Sequence, residues 1–160
     1  MSHSVTIQTR TVTTGSPSSI NVGFCKSWAG LLKIAQVILG IISVVIVFYA
    51  INNTYNGHST FENLFFLLVA TSFMMTSLIL VLSSLCSFTT ESIITKTIFE
   101  LLYHALGFAL LLAASVTLLT RSRRYYNAEK MELTASILSI INSILYFITT
   151  IFALRTSRAI

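Results

Sequence analysis

WAGLLKIAQVILGIISVVIVFYAI, from Trp28 to Ile51, decides the fold class of this chain. It holds one charge, Lys33, in 24 residues. An α-helix rises about 1.5 Å per residue, so roughly 20 apolar residues cross a hydrocarbon core of about 30 Å. The apolar side chains run all round the helix, which leaves no face for water. A membrane β-strand would show dyad alternation in segments of about ten residues, and that pattern is absent.

Three more stretches of the same kind follow: Phe61 to Cys86, Thr97 to Thr120 and Leu133 to Leu154. Glycine is scarce, at 6, and the single proline is Pro17, so nothing interrupts the four segments. The connections are each about ten residues, which forces consecutive helices to run antiparallel. Composition agrees: 54% of the 160 residues are hydrophobic and 9% charged, against about 25% charged in a soluble domain. Mean hydropathy is +0.83. These values exclude a cytosolic enzyme domain, a secreted disulfide scaffold and a disordered tail protein. The expected fold is all-α, an integral membrane four-helix antiparallel bundle, M-shaped with both termini cytosolic. Residues 1–27 read as a disordered Ser/Thr-rich cytosolic tail, 28–155 as the membrane domain with helices at about 28–51, 61–86, 97–120 and 133–154, and 156–160 as a short cytosolic tail. No cleavable leader is read, because the first apolar run is too long for one.

Orientation follows from the basic residues. With both termini inside, the inner side collects Arg10, Lys26, Lys33, Lys96, Arg155 and Arg158, and the outer side Arg121, Arg123, Arg124 and Lys130. The first connection, Asn52 to Thr60, has no Lys or Arg and reads as an outer loop. Its Asn52-Asn53-Thr54 is a formal glycosylation sequon so near the membrane surface that little use of it is expected. The net charge of +5 belongs to the membrane borders and not to a nucleic-acid surface. Cys25 and Cys86 both fall at the inner border. Two thiols in a reducing compartment form no disulfide framework, and juxtamembrane cysteines are candidates for palmitoylation; Cys86 also suits plain helix packing.

Ionisable groups inside a spanning segment require an explanation. Lys33, Glu100 and His104 are the three. Lys33 and Glu100 lie at similar depth near the inner side, and His104 is four residues from Glu100 on the same helical face. A Lys33–Glu100 pair with His104 beside it is one reading; snorkelling of Lys33 to the headgroups is another. A proton or ion path through the trio is the sharper alternative, but the midplane offers only neutral groups such as Asn142, Ser115 and Thr76. Stripes of small and polar residues mark inward seams: Gly30, Lys33, Val37, Gly40 and Val44; Glu100, His104, Gly107, Leu111 and Ala114; Ser136, Ser139, Ser143, Tyr146 and Thr150, with Asn142 adjoining. His3, His58 and His104 fall in separate parts of the chain, aspartate is absent and no glycine-rich phosphate loop occurs, so no metal, cofactor or catalytic residue is assigned.

Three of these stretches resemble a known family. GLLKIAQVILG at Gly30 to Gly40 is similar to the opening of a MARVEL domain, as in plasmolipin and the CKLF-like MARVEL transmembrane proteins. FELLYHALGFALLLAAS from Phe99 to Ser115 resembles its third helix, and ASILSIINSILYFITTIFALR from Ala135 to Arg155 its fourth. The resemblance covers the chain after the tail. It implies a non-enzymatic multi-pass protein of the plasma membrane or of endosomal and Golgi vesicles. It further implies a role in membrane apposition, vesicle trafficking or microdomain organisation, with membrane lipids, other membrane proteins and copies of itself as partners. No catalytic residue comes with the family.

Overall fold

The computed structural model describes residues 22–53, 60–86, 98–124 and 130–158. A short helix α1 (Val22–Lys26) precedes four long ones: α2 (Trp28–Asn53), α3 (Phe61–Cys86), α4 (Ile98–Arg124) and α5 (Lys130–Arg158). The long helices contain 26, 26, 27 and 29 residues, so each is about 39–44 Å long and exceeds the hydrocarbon thickness. All four are long and apolar enough to cross a membrane. The described residues are otherwise without strands.

The helices pack as a ring in the order α2, α3, α4, α5, with α5 closing back onto α2. Cross-helix contacts fix the directions. Gln36 near the start of α2 bonds Thr149 near the end of α5. Ser77 in the second half of α3 bonds Tyr103 early in α4. Arg121 late in α4 reaches Glu132 early in α5. Neighbours are therefore antiparallel, and both ends of the described chain lie at one end of the bundle, here termed the near end.

The inward seams are those with small and polar residues. Gly30, Lys33, Val37 and Gly40 are buried on α2, every member of the α4 stripe is buried, and Ser136, Ser139, Asn142, Ser143 and Tyr146 are buried on α5. Outward faces carry Ile38, Val45, Phe48, Leu68, Ile79, Leu106 and Ile144, all exposed. Only 33–39% of each apolar window is covered by the protein itself, and lipid must cover the remainder. Hydroxyls that face outward are satisfied within their own helix: Ser72 donates to the Leu68 carbonyl and Thr76 to that of Ser72.

Several boundaries differ from the sequence reading: α2 reaches Asn53 and not 51, α4 spans Ile98–Arg124 and not 97–120, and the two ends of the described chain differ as well. The tail was expected to run to residue 27, but residues 22–26 are helical and Phe24 is buried against Val37 and Val81. Ser27 makes the corner. Its Oγ accepts from the Gly30 N–H at 3.0 Å, an N-cap on α2, and donates to the Phe24 carbonyl at 2.8 Å. Gly30 is required there, because a Cβ at that position would collide with the Phe24 carbonyl oxygen. Residues 1–21 lie outside the described residues. At the other terminus α5 starts at Lys130 and continues to Arg158, longer than the expected 133–154 and into the short tail. Glu132 in its first turn and Arg155 toward its last favour both extensions through the helix dipole.

Candidate functional site

The site is the buried polar interior, and it begins with Lys33. Its Nζ lies 2.6 Å from Glu100 Oε1, and the two side chains are only 3% and 5% accessible. The pair spans the diagonal of the ring, from α2 to α4. Lys33 sits five residues inside α2, about 7–8 Å from its start, at a depth where an unpaired ammonium would be costly. His104 is also buried, but its Nδ1–H donates to the Glu100 backbone carbonyl at 2.8 Å, not to the carboxylate. Its ring packs edge-on against Tyr103, with centroids 5.0 Å apart. Three buried acceptors of this end, Glu100 Oε2, His104 Nε2 and Gln36 Oε1, have no partner among the described residues. Gln36 Nε2 donates to Thr149 Oγ1 at 2.9 Å, and Asn142 Nδ2 reaches the Gln36 carbonyl at 3.3 Å, so α2 and α5 are laced together beside the ion pair.

A second group joins α3, α4 and α5. Ser77 Oγ shares hydrogen bonds with the Tyr146 hydroxyl at 2.6 Å and the Tyr103 hydroxyl at 2.9 Å. Both phenols also approach the Phe73 carbonyl, at 2.8 Å from Tyr103 and 3.3 Å from Tyr146. Gly107 makes room for Tyr146: a Cβ there would lie 2.5 and 2.7 Å from two ring carbons.

The far end has its own diagonal. Asn63 Nδ2 on α3 donates to Glu132 Oε1 on α5 at 3.0 Å, and Arg121 of α4 stands 3.9 Å from the same oxygen. Glu132 and Thr149 are 17 residues apart on α5, so the two polar ends are separated by about 25 Å. Just inside the far end is an apolar layer of Val47, Phe66, Leu118 and Ala135, one from each long helix and each 0% exposed. The last three sit three residues inward of Asn63, Arg121 and Glu132, respectively.

The structure brings Lys33 and Glu100 into contact and leaves His104 on its own helix beside them. Cys25, half-buried on α1, and Cys86, exposed as the last residue of α3, are both free and both at the near end. His3, His58 and Thr54 of the sequon lie outside the described residues; Asn52 is exposed at the end of α2. Among the described residues no group of three His, Cys, Asp or Glu converges as a metal site. Sequence reasoning missed Gln36, Ser77 and the far-end trio. Chemically the interior can hold the helices in register.

Residues 24–152 match the MARVEL family, described as a membrane-associating domain. No curated protein matches the chain, and no solved structure does. The match begins at buried Phe24 of α1 and extends through all four membrane-length helices, and with it the chain belongs to the MARVEL family of membrane-associating domains.

Proposed function

We propose that this protein is a non-catalytic organiser of membranes: a multi-pass protein that gathers lipids and other membrane proteins, copies of itself included, into microdomains, membrane contacts or trafficking vesicles. The observation that carries the reading is the division of its surface. Lys33, Gln36, Glu100 and Asn142 turn inward and tie helix to helix, while the outward faces, some two thirds of each span, are mainly apolar and left to lipid and to other spans. In this reading both termini are cytosolic, the plasma membrane or endosomal and Golgi vesicles are its location, and Cys25 and Cys86 are acylated at the cytosolic border. Acyl chains there would add membrane anchorage beside α1. A conduction path through Lys33, Glu100 and His104 is disfavoured by the apolar layer at Val47, Phe66, Leu118 and Ala135.

The experiment is reconstitution of the labelled protein into giant vesicles separated into liquid-ordered and liquid-disordered phases, with proton flux followed in parallel. Enrichment in one phase, unchanged by Glu100→Gln and without flux, is the expected result. Even distribution together with flux that Glu100→Gln abolishes would replace the organiser with a transporter.

A further inference from the structure

Near the far end α2 and α5 border an open groove of about 340 Å³, a size at which pockets hold small ligands. Val45, Ile46 and Tyr49 of α2 form one wall, and Lys130, Met131 and Thr134 of α5 the other. Depth sets the chemistry along it. Lys130 is the first residue of α5, and Tyr49 lies four residues, about 6 Å, inside the end of α2, so the mouth is at headgroup level. Val45 lies one turn deeper, in hydrocarbon. Val45, Tyr49, Lys130 and Met131 are all exposed. Among the described residues Lys130 has no ion-pair partner, and exposed Arg123 adds positive charge at the same end.

We propose that this groove is a binding site for an anionic phospholipid, with one acyl chain between Val45 and Met131 and the headgroup phosphate on Lys130. The occupant must be apolar below and negative above. A zwitterionic headgroup brings its own ammonium, which competes with Lys130, so a net-negative headgroup is selected. A partner helix is a poor fit, because it would need an 8–10 Å axial approach along several turns and not a short slot. The proposal deepens the organiser reading by naming a lipid class, and it rests on that reading only for membrane insertion.

The test uses the full chain in neutral detergent, titrated with palmitoyl-oleoyl phosphatidylglycerol or palmitoyl-oleoyl phosphatidylcholine and followed by native mass spectrometry. One bound phosphatidylglycerol is expected, favoured about fivefold over phosphatidylcholine, the scale of one lysine at a membrane surface. Lys130→Gln should equalise the two lipids, Lys130→Arg should keep the preference, and Arg155→Gln at the near end should leave it unchanged. Val45→Trp should reduce retention of both lipids; where it disturbs folding, judged by circular dichroism, Thr134→Phe fills the groove from the other wall. Equal binding of the two lipids by wild type would overturn the proposal, as would a preference that survives Lys130→Gln. Retention of neutral dioleoylglycerol as strong as that of phosphatidylglycerol would reduce the site to a chain slot, and a dimer peak lost in Val45→Trp would assign the groove to a second copy; either result overturns it. Loss of the organiser reading would appear instead as even phase distribution with this lipid preference intact.

Discussion

Neutralising one partner of the Lys33–Glu100 pair isolates what holds the near end together. The 2.6 Å contact lies between side chains that are almost fully covered, so neither charge can turn to water when its partner is removed. Breaking a buried pair from one side costs about 3–5 kcal/mol, because the remaining charge stays desolvated. Against a total stability of about 5–15 kcal/mol that is a large fraction. For a chain of this length 1 kcal/mol corresponds to about 2–4 °C, so Glu100→Gln and Lys33→Met should each lower the melting temperature by about 6–20 °C. Loss of the monodisperse peak in size-exclusion chromatography after heating in detergent measures it.

The double replacement decides the cause. Lys33→Met with Glu100→Met puts apolar side chains of similar length across the same diagonal and leaves no orphan charge, so most of the lost stability should return. The two single effects would then fail to add by more than about 2 kcal/mol. Charge exchange, Lys33→Glu with Glu100→Lys, should likewise recover expression lost in each single reversal. Single variants within about 0.5 kcal/mol of wild type, the range of ordinary surface substitutions, would refute the reasoning. Lys33 would then be reaching the headgroups, and the pair would contribute nothing.

Gly107→Ala should cost about 1–3 kcal/mol by overpacking against the Tyr146 ring, seen as a lower melting temperature in the same assay. Ser77→Ala should cost about 1 kcal/mol, since both tyrosine hydroxyls keep the Phe73 carbonyl as a partner. Glu132→Gln keeps an acceptor for Asn63 and should melt within about 1 kcal/mol of wild type, whereas Glu132→Ala orphans the Asn63 amide and should cost about 1–3 kcal/mol. Gly30→Ala should displace α1 and raise the rate at which maleimide labels Cys25, with Cys86 as the internal reference.

The bundle was legible because its signal is length: four uninterrupted apolar segments admit few other arrangements in lipid. The near-end pair was legible too, since Lys33 and Glu100 begin their helices from the same side and must share a depth. Hydroxyl direction was not. Thr76 stands next to Ser77, and either could face inward on composition; Thr76 returns its hydrogen to the Ser72 carbonyl, while Ser77 meets two tyrosines from other helices. Because a hydroxyl can be satisfied on its own helix, its presence in a span carries no direction. Gln36 escaped for a related reason. The α2 stripe was drawn through Val37 and Val44, but its buried centre runs through Gln36 and Ser43 as well, and Val44 is only half-buried. Glu132 escaped because the fourth helix was begun at Leu133, which placed its carboxylate in a loop, where it needs no partner. Helix α1 is only five residues long and is held by Phe24 and the Ser27 corner, features too short for periodicity to reveal.

The two diagonals bear on why a lipid-solvated bundle keeps polar groups at all. Apolar side chains give helices little reason to choose one neighbour over another when the surrounding lipid is as apolar as they are. The Lys33–Glu100 tie joins α2 to α4, and the Asn63–Glu132 tie joins α3 to α5, each across the ring and each at an opposite end. A register slip of any one helix would strand a charge or an amide in hydrocarbon, so the ties exclude alternatives that apolar packing would permit. A transporter places its charges at the midplane beside broken helices. Here Glu100 and Arg121 stand 21 residues, about 30 Å, apart on α4, with Val47, Phe66, Leu118 and Ala135 fully buried between the two charged ends, and the helices are unbroken. Polar groups so arranged fix one packing of the bundle, and the outward faces are thereby held in one fixed pattern for lipids and neighbouring spans to meet.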